Sequence, residues 1–313
     1  MKKVAIITGF KETYHRKSIY QNAGFVLYNI FLQQGMHLVT VSYHHYDSHT
    51  KTFSQYVDYT NKGDFVVIEE PYKPDILYVK SKLGLGYIRH IANSFPTISS
   101  LETITITSNK YETSLFIGDL QPPTYLLSEV LSSSFNNHHL LGNKVVIKPT
   151  IGNGGKGIHF SELNILLEEK HKWYEYRNFF IVQSFKDFSQ GYQNIISGNH
   201  DIRLVFIGTK FSFCIIRKPQ QGSLKSNIAQ GGTQYSVGEK DVPLELFTIA
   251  TEVQKRISVQ PHDIYSIDFA YCHNDERRYI LELNPFPGIR FPIEDRSYQI
   301  QYFKDLAILF LTT

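Results

Sequence analysis

Asp268, Glu282 and Asn284 form the clearest chemical signal in the sequence. Asp268 stands in the apolar run IYSIDFAYC, and Glu282 and Asn284 stand in the run RRYILELN that follows. Both runs have the β-branched and aromatic composition of strands, and together they predict a hairpin. Residues two apart on a strand share a face, so Glu282 and Asn284 point one way, with Asp268 on the facing strand. Two carboxylates and an amide oxygen make a hard-oxygen set suited to Mg²⁺. The alternative is a pair of solvated surface acids. The flanking Ile267, Phe269, Ile280, Leu281 and Leu283 weigh against it, because they turn one face of each strand inward, where a carboxylate needs a partner.

The second signal is the stretch KVVIKPTIGNGGKGIHF, residues 144–160. Val145, Val146 and Ile147 read as a strand, and Ile158 and Phe160 begin another. Between them lie Lys148, Pro149 and a loop with Gly152, Gly154, Gly155, Lys156 and Gly157. Glycines let backbone N–H groups approach phosphate oxygens, and lysines supply the countercharge. The loop is not a P-loop, because Lys156 precedes Gly157 rather than following the last glycine into a helix. It is not a dinucleotide fingerprint either, since Lys148-Pro149 separates strand from glycines. A flexible hairpin tip is the bland alternative.

The elements that position these residues follow from periodicity. Residues 2–8 predict a strand, Tyr20 to Gln34 a helix ended by Gly35, and His37 to Tyr43 a second strand, with further strands at 65–70 and 75–80. This β-α-β opening implies a small α/β domain on a parallel sheet. His44 and His45 are adjacent, cannot share one face of a strand, and read as surface residues. SNK at 108–110 opens a new unit, with a helix over Tyr111–Leu120. Ser161 is placed as the cap of a helix running to Trp173. Residues 179–185 (FFIVQSF) form an apolar strand, 187–200 a long loop and 201–218 a hairpin around Gly208-Thr209-Lys210. A helix over 242–259 and a closing C-terminal helix complete the pattern.

The bulk numbers bound the function. A chain of 313 residues, 42% hydrophobic, accommodates two or three compact units. A net charge of +3 gives no case for nucleic acid or membrane as the main partner. Cys214 and Cys272 sit in apolar runs and read as reduced thiols of a cytoplasmic protein. MKKVAIITGF has too short an apolar run for a signal peptide and reads as the first strand.

In chain order, these motifs resemble the ATP-grasp superfamily, specifically its carboxylate–amine ligase branch of RimK-like glutamate ligases, glutathione synthetases and D-alanine–D-alanine ligases. The resemblance rests on Lys110, on Lys148 to Gly157, on VQSF at 182–185, on Asp201-Ile202-Arg203 and on Arg217. It continues through Asn227 with Gly231-Gly232, then Asp268, Glu282, Asn284, Pro287 and Gly288. It implies an α/β chain, α+β in its catalytic part. An ATP-grasp fold would follow an N-terminal Rossmann-like pre-ATP-grasp domain, with units at 1–107, 108–185 and 186–313. It also implies roles. Lys110 and Lys148 would contact ATP phosphates, and the loop of Gly152, Gly154, Gly155, Lys156 and Gly157 would fold over them. Gln183, Ser184 and Phe185 would be the adenine hinge. Asp268, Glu282 and Asn284 would hold two Mg²⁺, with Mn²⁺ as a substitute. Arg217 would steady the acyl phosphate and Asn227 would lie beside the transferred phosphoryl group.

The chain departs from the family pattern at Ser184, where Glu is usual, at Lys225, where Arg is frequent, and in a lengthened loop around 190–200. The expected activity is ATP-dependent, ADP-forming ligation of an amino-acid or peptide carboxylate to an amine. A small-molecule kinase and a non-catalytic ATP-binding module are the alternatives on the same fold. Neither nucleic acid nor membrane is expected as a partner, and a homo-oligomer is compatible with the resemblance.

Overall fold

Among the described residues, three large sheets carry the chain, and Tyr46–Asp47 pairs with Thr52–Phe53 in a small two-stranded one. The structure, a computed structural model, describes residues 1–9, 20–80, 84–152, 154–192, 195–220, 231–288 and 291–313. The first sheet is centred on β1 (Lys2–Thr8), which leads through α1 (Tyr20–Gln33) to β2 (Met36–Ser42). It also holds β3 (Tyr56–Tyr59), β4 (Phe65–Ile68), β5 (Ile76–Val79) and β6 (Thr97–Ile98), in the order β4-β3-β2-β1-β5-β6. β2, β1, β5 and β6 run parallel, and Val4 pairs with Leu38 on one side and Ile76 on the other. β3 and β4 are antiparallel additions, so the sheet is mixed rather than purely parallel. The tyrosine-flanked β3 has no long apolar alternation and gave no strand signal. After β5 come α2 (Leu85–Ala92) and α3 (Leu101–Ser108).

The second sheet begins beyond α4 (Lys110–Ile117). Asn109 caps this helix, its side chain accepting from the N–H groups of Tyr111 and Glu112. β7 (Thr124–Leu126), β8 (Lys144–Pro149), β9 (His159–Glu162) and β10 (Phe180–Ser184) form an antiparallel sheet ordered β9-β8-β10-β7. The expected helix from Ser161 to Trp173 is corrected here. Ser161 pairs with Val145 in the sheet, and the helical segments are Leu163–Glu168 and Lys170–Trp173. Cross-strand pairing of β8 and β9 outweighs the capping preference of one serine.

The third sheet is antiparallel and carries the site. It comprises β11 (Asp201–Ile207), β12 (Lys210–Lys218), β13 (Thr233–Val237), β14 (Ile264–Cys272) and β15 (Arg277–Asn284), in the order β13-β12-β11-β14-β15. One face packs α5 (Leu244–Arg256) through Leu246, Ala250 and Val253 against Ile202, Leu204, Tyr265 and Ile267. The opposite face meets the first sheet. There Val205, Phe213 and Ile215 share a core with Val4, Leu27 and Phe31 and with α6 (Arg296–Thr312). Cys214 and Cys272 are buried and unpaired, as the sequence suggested. Among the described residues, no helix is long and apolar enough to cross a membrane.

Candidate active site

The register of the third sheet builds a ladder of charges across four neighbouring strands. Asp201 on β11 pairs opposite Arg217 on β12, Arg203 on β11 opposite Asp268 on β14, and Asp268 opposite Glu282 on β15. Residues two apart share a face, so all five charges stand on one side of the sheet. Arg203 clamps Asp268 with two bonds, Nε to Oδ1 at 2.6 Å and Nη2 to Oδ2 at 2.5 Å. Arg217 donates Nη2 to Asp268 Oδ2 at 2.6 Å and Nε to Asp201 at 2.5 Å. Burial alone would raise the Asp268 pKa, but the two guanidinium groups outweigh it and hold the carboxyl well below the usual carboxylate range. Burial likewise opposes the charge on Arg217, and Asp201 and Asp268 more than restore it. Asp268 is 2% exposed and Arg217 7%, so neither is a solvated surface residue.

The second sheet and α4 face this ladder with lysines. Lys110 Nζ donates to the carbonyl of Gly152 at 2.8 Å and lies 3.6 Å from Glu282. Lys148 Nζ donates to Gln183 Oε1 at 2.7 Å, and Gln183 Nε2 donates to Thr124 Oγ1 at 2.9 Å. The Gln183 side chain therefore aims a lysine rather than a base. Gly155, Lys148, Gln183, Ser184, Phe185, Asp201, Arg217, Asp268 and Glu282 line one cavity. Val146, Ile158, Phe160, Phe188 and Leu281 also line it and make part of it an apolar slot suited to a planar ring. At the expected hinge, Ser184 N–H donates to the Pro123 carbonyl and Phe185 N–H to the Lys144 carbonyl. The next backbone donor along the hinge is that of Lys186.

The glycine loop turns back on its own strand. Gly155 is buried at φ +71°, and Gly157, at φ +70°, would place a Cβ 2.9 Å from Pro149 Cγ. Side chains are excluded at that turn by conformation and by space. Gly154 is part of the same turn, and Lys156 is exposed at its tip. Asn227 and Lys225 lie outside the described residues. Asn284 Oδ1 accepts the N–H of Phe286 at 2.9 Å, which ties it to the turn after β15. His44 is exposed, with Nε2 at 3.1 Å from the Gly9 carbonyl. Asp201 and Arg203 are the charged members that the candidate set lacked. Their alternation in Asp-Ile-Arg was visible, but their partners depend on register.

The donor set admits a divalent cation. A carboxylate offers about four lone-pair sites, and the guanidinium groups occupy three on Asp268. Glu282 touches its cationic neighbours only at 3.6 and 3.7 Å and faces the cleft. Among the described residues no three His, Cys, Asp or Glu side chains form a metal cluster on their own. The set thus fits Mg²⁺ held jointly by Glu282, Asn284, the remaining site of Asp268 and ligand oxygens.

Lys148 gives the cleft a pH dependence. Burial lowers its pKa to about 8, with Glu282 opposing and Lys110 adding to the shift. The cation is present below that value and lost above it. For the free enzyme, kcat/KM for ATP is expected to fall as pH rises through about 8. Lys148→Met should have a lower, flat profile over that range. A wild-type profile flat to pH about 10 would show that Lys148 is not the phosphate contact.

Residues 109–261 match the family model of the prokaryotic glutathione synthetase ATP-grasp domain. The chain has the ATP-grasp fold, of the kind found in carboxylate–amine ligases. It is similar over 98% of its length to D-cycloserine synthetase DcsG, covering 99% of that chain at 12% identity and TM-score 0.65. The VanG D-Ala:D-Ser ligase from Enterococcus faecalis is similar over 98% of both chains, at 12% identity and TM-score 0.65. A RimK domain ATP-grasp protein from Sphaerobacter thermophilus DSM 20745 gives 13% identity and TM-score 0.58, over 98% of this chain and 99% of that one. At these identities the likeness is one of fold. No curated protein matches the chain significantly in sequence.

Proposed function

We propose that the protein is an ATP-dependent, ADP-forming carboxylate–amine ligase that makes an amide or peptide bond on an amino acid or peptide. The observation that carries this reading is the meeting of Lys148, Arg217, Asp268 and Glu282 in one cavity that also has an apolar lining, in a chain whose residues 109–261 match a ligase-type ATP-grasp domain.

The residues divide the work. The slot takes the adenine, with the N–H of Lys186 available to its edge. Lys110 and Lys148 take phosphate oxygens, and the loop at 152–157 covers them and keeps water from the acyl phosphate. Glu282, Asn284 and Asp268 would hold Mg²⁺, two ions in the fullest case. Bound metal supplies charge neutralisation on the phosphates. The acid substrate's carboxylate oxygen attacks the γ-phosphorus, ADP leaves, and the amine then displaces phosphate from the acyl carbon. Arg217, fixed between Asp201 and Asp268, presents a guanidinium that needs no reorganisation as charge develops on the acyl oxygen.

The deciding experiment replaces the amine by hydroxylamine. With ATP, Mg²⁺ and each of a panel of amino acids and peptides, a ligase gives a hydroxamate with equal amounts of ADP and free phosphate. A stable phosphorylated product, untouched by hydroxylamine and without free phosphate, would make the protein a kinase.

A further inference from the structure

Lys80 stands outside every role given above. It directly follows β5, at that strand's C-terminal end. β1 leads through α1 to β2 on one side, while β5 lies on its other side. The boundary between β1 and β5 is therefore the point where the chain's direction across the sheet reverses. In open α/β sheets, ligands bind outside the carboxyl ends of the strands at such a point.

Lys80 also touches the turn that follows the strand carrying Glu282 and Asn284. Its Nζ donates to the carbonyl of Pro287 at 3.3 Å, in the turn that follows Glu282-Leu283-Asn284. Phe286 in that turn packs onto the core of the first sheet with Ile7, Val79 and Ile88. Among the described residues, the other partners of Lys80 are the Tyr78 hydroxyl at 3.5 Å and the Tyr78 ring at 5.2 Å. All are neutral. A half-buried ammonium whose described partners are all neutral is poorly compensated, and burial lowers its pKa to about 7. Lys110, Arg203 and Arg217 in the cleft each have an acid within 4.0 Å. Lys80 is placed for an anion that the ligand brings.

We propose that Lys80 binds a substrate carboxylate other than the one phosphorylated, so that the acid or the amine of the pair carries a spare carboxylate. This rests on the ligase reading for what the substrate does, but not for what Lys80 binds. An acidic amino acid held by its second carboxylate, or an amine substrate that is itself an amino acid, fits the same chemistry.

The first arm of the test needs no turnover. Wild-type enzyme is treated with acetic anhydride, and acetylation of Lys80 is followed by mass spectrometry with succinate, L-glutamate or Ala-Glu, or with their monoamide counterparts. At least one acid should slow Lys80 acetylation by about tenfold while its monoamide does not, the size of a charge-assisted contact. If no acid protects Lys80 more than its monoamide, the proposal is overturned. The second arm compares wild type, Lys80→Met and Lys80→Arg. ATP affinity and thermal unfolding should be unchanged in Lys80→Met. KM should rise about tenfold for whichever substrate owns the spare carboxylate, and Lys80→Arg should recover much of the loss. A raised KM in the hydroxylamine assay assigns that group to the acid. A raised KM only in amide formation assigns it to the amine. If neither KM moves, Lys80 is a strut on Pro287 and the proposal fails. If the wild type binds ATP but no acid stimulates ADP release, the ligase reading fails, and acetylation still decides Lys80.

Discussion

Arg217→Ala is expected to lower the free energy of unfolding by about 3–5 kcal/mol, the effect of removing one partner from a buried ion pair. The substitution strips Asp201 of its guanidinium and leaves Asp268 with Arg203 alone. Chemical denaturation reads the loss directly. The double variant Asp201→Leu/Arg217→Leu should recover much of it, because an apolar pair does not leave a lone buried charge. Arg217→Lys separates folding from chemistry. It keeps the charge but not the planar fork, so it should fold near-normally and still lose hydroxamate formation far more than ATP affinity. Unchanged stability in Arg217→Ala would mean that the ladder does not form in solution.

Glu282→Gln is expected to reduce Mg²⁺-dependent turnover by about a hundredfold or more, since a metal-held charge supplies several kcal/mol at the transition state. The fold should survive. Glu282 makes only long ionic contacts, at 3.6 and 3.7 Å, and its side chain is 20% exposed. Gln preserves its shape while removing the charge. Turnover assayed across a Mg²⁺ series, beside a thermal unfolding curve, tests both parts. A variant with near-normal turnover at every Mg²⁺ concentration would remove Glu282 from the metal site.

The two variants also show where the sequence was informative. Glu282 and Asn284 were readable because a period of two is local, and the glycine loop because strand, glycines and strand follow one another. Asp268 was readable as buried because its neighbours are apolar. Its partners were not. Arg203 and Arg217 reach it only because β11 pairs with β12 and β14 in one register, and register between strands more than 50 residues apart is a property of the assembled sheet. The same limit explains Ser161. Its capping preference is local, while its pairing with Val145 depends on where the loop returns. Lys80 was invisible for a related reason. A lysine after a strand is ordinary until the turn at Pro287 closes over it.

The packing of α6 has a consequence for how the chain is made. Phe303, Leu306 and Phe310 of this helix complete the core that holds Val4, Leu27 and Phe31, and Lys2 Nζ donates to the Phe310 carbonyl at 2.6 Å. The apolar face of β1 and α1 is thus covered only by a helix reached 308 positions further along the chain. Contacts spanning 308 positions close late and slowly, and until then that face is open to aggregation. Translation speed and chaperone capture should therefore influence the yield of this protein more than that of a chain whose first sheet closes on itself.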